Sequence, residues 1–232
     1  MGILYIVSTP IGNLGDISNR SITILKEVDI IACEDTRRTG MLLQKIFEPQ
    51  ETEKPWLLSY YEQNELARIP EIVAYLKDGK NVALVSDAGT PAISDPGFKL
   101  IRECTREEIK VVSVPGASSV MVALTSSGLP TDKFTFAGYP PRKPGHRKTF
   151  FENILKSQDF LKTTVILFEA PHKMLKTLTE MQEIFGDIEI VIGRELTKMH
   201  EEMRHEKISA SLLHFKKKAP KGEFVISFNL NI

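Results

Sequence analysis

Short apolar runs with no polar interruption constrain the fold of this chain most. Three of them occupy residues 3–7, 30–33 and 82–85, and a similar run at residues 111–114 contains one polar residue, Ser113. Each run is long enough for a buried strand and too short for a helix. Strands of this kind, separated by helices, are typical of a mostly parallel sheet that is covered on both faces. We therefore predict an α/β fold.

The loop that follows residues 82–85 is the strongest candidate for a functional site. Residues 82–97 are VALVSDAGTPAISDPG, in which Ser-Asp-x-Gly occurs twice. Open α/β sheets bind their ligands where strands end in such loops. Gly89 would let a ligand approach the backbone, and Asp87 could accept hydrogen bonds from a hydroxyl or an amine. One such loop alone could be an ordinary connection, but similar loops recur at several strand ends.

A second strand-end loop, at residues 34–39, carries two acids and two arginines, Glu34, Asp35, Arg37 and Arg38. A solvated loop with local ion pairs explains this composition as well as a site does. The loop at residues 8–16 has neither a GxGxxG fingerprint nor a Walker lysine. Residues 47–55 are polar and flanked by proline, which predicts a surface loop.

The second half of the chain predicts a different sheet. Apolar runs at 134–137, 163–168, 188–192 and 224–228 include alternating segments such as Phe134-Thr135-Phe136, which favour a mixed sheet. We expect two α/β domains, residues 1–115 and 116–232, that meet at a cleft.

Residues 138–148 form a basic segment that is rich in proline and glycine and includes Tyr139. We expect a mobile loop whose basic side chains contact nucleic-acid phosphates, since Arg and Lys supply most backbone contacts to nucleic acid. A merely solvated loop is the alternative. The candidate phosphate contacts are Arg142, Lys143, Arg147 and Lys148.

Composition narrows the class of protein. The 232 residues are 42% hydrophobic, and 30 basic residues balance 30 acidic ones, so net charge neither favours nor excludes nucleic acid. The two cysteines, Cys33 and Cys104, form no CxxC pair, and the histidines show no metal-ligand spacing, so we expect buried thiols and no metal. With no apolar run long enough to span a membrane and no signal peptide, we expect a cytoplasmic protein.

Several motifs in order carry a family resemblance across nearly the whole chain: TPIGNLGDIS, ACEDTRRTGMLL, SYYEQNE, VALVSDAGTPAISDPG, VPGASS, FEAPHKMLKTL, GRELTKMHEE and KGEFVI. The chain resembles the RsmI-type ribosomal RNA small-subunit methyltransferases, a branch of the tetrapyrrole-methylase fold. The resemblance implies an S-adenosylmethionine-dependent enzyme that methylates the 2′-hydroxyl of a cytidine in 16S rRNA. It also implies a mostly parallel N-terminal sheet, a mixed C-terminal sheet, the cofactor in the cleft between the domains, and a homodimer.

The resemblance also implies roles for residues of the strand-end loops. The expected cofactor contacts are Pro10, Asp87, Ala88, Gly89, Thr90, Ile93, Ser118, Ser119, Phe168, Ala170, Arg194, Glu195 and Leu196. A ribose hydroxyl needs a base or a hydrogen-bond acceptor to attack a methyl group. For substrate activation and positioning we expect Glu34, Asp35 and Arg37, with Lys198 and Glu169 behind them. A structural ion pair between Glu34 and Arg37 is nearly as good an explanation of those two residues.

Two other functions fit parts of the sequence. A methyltransferase of the same fold could act on a small molecule such as a corrin precursor, although the basic segment speaks against it. A non-catalytic RNA-binding module is the second alternative, and the acids of residues 34–39 argue weakly against it.

Overall fold

The computed structural model describes residues 1–47 and 54–232. The chain divides into two compact units, Met1–Ser118 and Ser119–Ile232, here called the N-terminal and C-terminal domains. This division lies close to the predicted boundary between residues 115 and 116. Most of the surface loop predicted at residues 47–55 lies outside the described residues. Over the described part of the chain, no helix has the length and apolar character needed to cross a membrane.

The N-terminal domain contains a parallel sheet, as predicted. Its strands are β1 (Ile3–Val7), β2 (Ile30–Cys33), β3 (Trp56–Ser59), β4 (Val82–Val85) and β5 (Lys110–Val114), in the order β3-β2-β4-β1-β5. Every residue of β2 and β4 is buried. This burial explains why both strands are apolar at each position rather than alternating.

Helices cover both faces of this sheet. They are α1 (Asn19–Glu27), α2 (Thr36–Ile46), α3 (Glu65–Lys77) and α4 (Phe98–Arg106). Because successive side chains of a strand point to opposite faces, Leu4 packs into one core with Ile72 and Leu100, and Val7 packs into another with Leu25.

The start of α2 differs from the prediction of an irregular loop at residues 34–39. Asp35 is the N-cap, and its carboxylate accepts a hydrogen bond from the backbone N–H of Arg37 at 2.9 Å. The two arginines therefore belong to the first turn of a helix. Ser18 caps α1, and its hydroxyl accepts from the N–H of Ser21 at 3.0 Å.

The C-terminal domain contains a mixed sheet, as predicted. Its elements are α5 (Ser119–Ser126), β6 (Phe134–Phe136), α6 (Pro144–Ser157), β7 (Thr164–Glu169), α7 (Met174–Phe185), β8 (Glu189–Arg194), β9 (Glu202–Lys207), α8 (Ile208–Lys217) and β10 (Phe224–Phe228). The strand order is β6-β7-β10-β8-β9, in which only β6 and β7 pair in parallel. The helices α6, α7 and α8 contribute Phe151, Met181 and Phe215 to one apolar core.

Two elements of this domain are not predicted by the sequence patterns. Helix α6 begins at Pro144, inside the segment predicted to be a mobile loop, and proline suits the first turn of a helix because its missing N–H is not needed there. Strand β9 is the sheet's edge, and its sequence, EMRHEK, is mostly charged. A charged edge strand is protected against pairing with other chains, but it lacks the apolar signal of a buried strand.

Both cysteines are unpaired and buried, which confirms the expected thiols. Burial raises the pKa of the Cys33 thiol and of the Cys104 thiol to about 11, so both are uncharged at neutral pH.

Glu65 joins the start of α3 to the end of the loop that follows β4. Its buried carboxylate accepts hydrogen bonds from the Tyr60 hydroxyl (2.9 Å), the Gly97 N–H (3.2 Å) and the Lys99 ammonium group (2.8 Å). Burial acts to raise the pKa of Glu65, but these hydrogen bonds outweigh it and the net shift is downward. An ionised Glu65 therefore stabilises the folded loop.

Gly97 is the position in this loop where a side chain is least tolerable. Its φ is 140°, and a Cβ atom would lie 2.8 Å from Cδ2 of the buried Leu84. We predict that Gly97→Ala lowers the free energy of unfolding by roughly 3 kcal/mol through backbone strain and the clash. Gly79→Ala is the matched control, because Gly79 also has a positive φ (88°) but open space around it. It should cost only about 1 kcal/mol, and equal losses for both variants in urea denaturation would contradict the steric account.

Candidate active site

The loops that follow β1 and β4 are joined by backbone hydrogen bonds at the carboxyl end of the parallel sheet. The N–H of Thr9 donates to the carbonyl of Gly89 at 2.9 Å, and the N–H of Gly89 donates to the carbonyl of Thr9 at 3.0 Å. The Thr9 hydroxyl also donates to the carbonyl of Ser86 at 3.2 Å. The two loops are therefore one unit rather than independent connections.

The loop after β5 is tied to the same unit by hydroxyl groups. Thr90 Oγ1 lies 3.0 Å from Ser8 Oγ and donates to the carbonyl of Ala117 at 3.1 Å. A Cβ atom at Gly116 would lie 2.8 Å from the Cβ of Ser8, so the close packing of these backbones requires glycine.

Asp87 connects this unit to the loop after β2. Its Oδ1 accepts a hydrogen bond from the N–H of Asp35 at 3.1 Å, and its Oδ2 lies 3.2 Å from Nη1 of Arg38. Asp35 in turn binds the Arg37 guanidinium through two contacts of 3.0 and 2.7 Å. The Asp87 carboxylate is thus tied to the loop that carries Asp35, through the Asp35 N–H and the Arg38 guanidinium.

The acids of these loops fall into two electrostatic classes. Hydrogen bonds from Arg37 hold the pKa of Asp35 well below its usual range. Burial raises the pKa of Glu34, and the negative charges of Asp95 and Asp87 raise it further. Burial also raises the pKa values of Asp87 and Asp95, against the opposing effects of Arg38 on Asp87 and of a Ser86 hydrogen bond on Asp95. Glu34 is therefore a better proton acceptor than an ordinary carboxylate.

Two further charged residues of these loops, Arg38 and Asp95, were not among the predicted site residues. Arg38 was named only as part of a charged loop, and the ion pair with Asp87 gives it a specific position. Asp95 stands in the second Ser-Asp-x-Gly repeat of residues 82–97, and this repeat was the available signal. The remaining predicted contacts of the N-terminal domain lie on the same loops: Pro10, Ala88, Gly89, Thr90, Ile93 and Ser118. Ser119 is the first residue of α5 in the C-terminal domain.

In the C-terminal domain, the loop after β8 is linked to the loop before β10. The Glu195 carboxylate accepts hydrogen bonds from the N–H of Glu223 (2.9 Å) and from Lys198 (3.0 Å), and Arg194 Nε donates to the carbonyl of Lys221 at 2.7 Å. Leu196 is buried beside Gly193. These contacts tie Arg194, at the end of β8, and Glu195, in the loop that follows, to the segment before β10.

Lys198 and Glu169 do not have the properties of a proton acceptor. Burial acts to lower the pKa of Lys198, but hydrogen bonds to Glu223 and Glu195 outweigh it, so the shift is upward and the amine stays charged. Glu169 is 2% exposed, and its carboxylate accepts hydrogen bonds from the Thr177 hydroxyl and from the N–H of Ala170. Its contacts hold the Glu169 carboxylate at the end of β7.

The predicted phosphate contacts differ in how exposed their side chains are. Arg142, Lys143 and Lys148 are exposed. The Arg147 side chain is only 2% exposed, and its guanidinium binds the Glu180 carboxylate through two contacts of 2.5 Å. Arg147 therefore cannot serve as a surface phosphate contact, and that part of the prediction is wrong.

A family profile described as "Tetrapyrrole (Corrin/Porphyrin) Methylases" matches residues 3–211. A protein named ribosomal RNA small subunit methyltransferase I, from Thermotoga maritima, is 48% identical over 226 residues, which cover 97% of each chain. The chain belongs to this methyltransferase family. A relative of the same name from Bacillus subtilis is 44% identical and is matched over 74% of its length and 97% of this chain.

Solved structures support the fold. The methyltransferase CobJ superposes with a TM-score of 0.73 at 16% identity, over 99% of this chain and 95% of that chain. A uroporphyrin-III C-methyltransferase from Thermus thermophilus, complexed with S-adenosylhomocysteine, superposes with a TM-score of 0.64 at 16% identity, over 99% and 98% of the two chains. These likenesses confirm the predicted tetrapyrrole-methylase type of fold.

The raised pKa of Asp95 has a consequence for stability. A carboxyl whose folded pKa lies above its unfolded value destabilises the fold once it is ionised, and this cost vanishes as the pH falls towards the unfolded pKa, about 3.9. We predict that Asp95→Asn raises the free energy of unfolding at pH 7 and that the gain shrinks as the pH falls towards about 4. Asp132→Asn, at an exposed position, is the control and should show no such trend. Urea denaturation across this pH range measures the effect, and a less stable Asp95→Asn protein at pH 7 would contradict it.

Proposed function

We propose that this chain transfers a methyl group from S-adenosylmethionine to the 2′-hydroxyl of a cytidine in 16S rRNA. The observation that supports the proposal most is the joined set of strand-end loops, with Asp87 and Glu34 side by side in sequence-distant positions, in a member of this methyltransferase family. The names of the relatives support ribosomal RNA of the small subunit as the acceptor. A homodimer and a cytoplasmic location stay predictions.

The loops of the N-terminal domain have the chemistry that the methyl donor needs. Residues 87–90 (DAGT) and 115–119 (PGASS) carry no large side chain, so an adenosine or an amino-acid tail can approach the backbone closely. Asp87 adds a carboxylate that can accept hydrogen bonds from ribose hydroxyls or from an amine. The donor supplies an electrophilic methyl group, and the residues hold it in line with the attacking oxygen. Phe168, Ala170, Arg194, Glu195 and Leu196 stay predicted contacts.

Glu34 is the proton acceptor in this proposal. Its carboxylate takes the proton that the ribose hydroxyl releases as the new oxygen–carbon bond forms and the methyl–sulfur bond of the donor breaks, with S-adenosylhomocysteine as the leaving group. The raised pKa of Glu34 favours this transfer, because a base works best when its pKa approaches the working pH. Asp35 cannot share this task, since Arg37 holds its pKa low and its carboxylate caps α2.

The test of the proposal is methyl transfer to small ribosomal subunits that lack the modification. With labelled S-adenosylmethionine, we expect label on the 2′-oxygen of a cytidine and none on a corrin precursor offered in parallel. Glu34→Gln should lower kcat by about 100-fold, the low end of what a positioned base contributes, without changing affinity for S-adenosylhomocysteine. Label on a base, label on the corrin precursor, or no transfer would each contradict the proposal.

Asp87 is the residue whose change should affect donor binding most directly. We predict that Asp87→Asn weakens binding of S-adenosylhomocysteine by at least about tenfold, because a hydrogen bond to a charged group contributes roughly 1.5–3 kcal/mol. Glu27→Gln removes one negative charge from an exposed position of the same domain and should bind normally. Isothermal titration calorimetry measures both affinities, and an unchanged value for Asp87→Asn would reject the assignment.

A further inference from the structure

We propose that the lysines at the end of α8 bind the phosphate backbone of the RNA on which this enzyme acts. The proposal rests on the proposed function and adds to it a surface of the C-terminal domain that holds the RNA. The surface consists of Lys216, Lys217, Lys218 and Lys221, and we call it the α8 lysine cluster.

No acidic side chain pairs with the α8 lysine cluster in the part of the chain that the structure describes. All four lysines are exposed, and residues 207–222 contain no Asp or Glu. Lys77 and Lys99, by contrast, form ion pairs with Glu107 and Glu65 at 2.6 and 2.8 Å. The cluster therefore presents four uncompensated positive charges to the solvent.

The nearest acidic residues along the chain already bind other cations. Glu206, before α8, binds the Arg204 guanidinium at 2.9 Å. Glu223, after the cluster, binds the Lys198 ammonium group at 3.0 Å. Neutralising the cluster with either acid would require an existing ion pair to break. A polyanion such as RNA supplies the negative charge without that cost.

The helix dipole explains only part of the cluster. Lys216 and Lys217 lie in the last turn of α8, where positive charge interacts favourably with the helix end, and Lys218 is the C-cap. Lys221 lies beyond the helix, and the dipole effect falls off within the last turn. Stabilisation of α8 therefore leaves Lys221 unexplained, whereas phosphate binding accounts for all four lysines.

The segment that carries Lys221 is fixed to the loop that follows β8. Arg194 Nε donates to the carbonyl of Lys221 at 2.7 Å, and the Glu195 carboxylate accepts from the N–H of Glu223 at 2.9 Å. Gly222 has a φ of 95°, and a Cβ atom there would lie 2.7 Å from Cδ of Glu195, so this close approach requires glycine. A surface fixed in advance loses less conformational entropy when it binds.

The chemistry of the cluster suits the RNA backbone rather than the bases. Lysine binds phosphate as a point charge, and such contacts position a nucleic acid without reading its sequence. The ring of Phe215, next to Lys216, is only 4% exposed, so it is not a surface on which a base can stack. We therefore expect binding that depends strongly on salt and little on sequence.

Binding of an unmodified 16S rRNA transcript, measured by filter binding at several salt concentrations, tests the proposal. Replacing all four lysines of the cluster by glutamine should make the slope of log affinity against log salt shallower by about 3, since each phosphate contact contributes roughly 0.7–0.9. Replacing the same lysines by arginine should keep the wild-type slope, because the charge is retained. The matched control replaces four exposed lysines of the N-terminal domain by glutamine and should keep the slope: Lys45, Lys77, Lys80 and Lys110.

Single substitutions separate RNA binding from stabilisation of the helix. Lys221→Gln should make the salt slope shallower by about 0.7–0.9 and leave the midpoint of urea denaturation unchanged, because Lys221 lies outside α8. Lys216→Gln should change the slope by the same amount and also lower the midpoint, because Lys216 interacts with the helix end as well.

Several outcomes would overturn the proposal: a wild-type salt slope for the quadruple glutamine variant, an equal change in the control, or lower stability with unchanged RNA binding. Binding of the wild-type protein to phosphatidylserine vesicles but not to the transcript would also overturn it. Methyl transfer to small subunits is measured separately. If transfer occurs while the quadruple variant binds RNA like the wild type, the cluster has no role in binding and the proposed function stands. If the cluster binds RNA as expected but no methyl group is transferred, the proposed function fails instead.

Discussion

The two backbone hydrogen bonds between Thr9 and Gly89 are the contact on which the candidate site depends most. They join loops that are about 80 residues apart in the sequence. Because these bonds are made by main-chain atoms, they do not occupy the Asp87 carboxylate, which contacts the Asp35 N–H and Arg38, or the small side chains around it. The buried parallel strands set the positions of the loops, and these hydrogen bonds hold the loops in register with one another.

The same loops separate their acids by environment. Asp35 is satisfied by Arg37 and by the start of α2, so it remains ionised at little cost. Glu34 and Asp95 are partly buried near other negative charges, and each is less stable in its ionised form than in water. A difference of this kind between neighbouring carboxyl groups is characteristic of sites that move protons. It is the physical reason for assigning proton transfer to Glu34 and a structural role to Asp35.

The apolar pattern was sufficient for the strands of the two sheets except the charged edge strand β9, and for the position of the N-terminal loops. Strands β4 and β10 have the predicted bounds because their burial leaves a direct signal in the apolar pattern. Helices α2 and α6 were missed because each begins among charged or turn-forming residues. The role of Arg147 could not be predicted, since its partner Glu180 lies 33 residues away and its neighbours Arg142 and Lys148 have the same chemistry. Contacts between distant elements, rather than local pattern, decide which basic side chain is buried.

Hydrogen–deuterium exchange with and without S-adenosylhomocysteine tests the central claim, that the joined loops of the N-terminal sheet bind the methyl donor. The account predicts slower exchange on ligand binding in peptides that cover residues 8–16, 86–97 and 115–119, with little change in α4 on the far side of Gly97. Ligand binding that leaves all three segments unchanged would contradict the account.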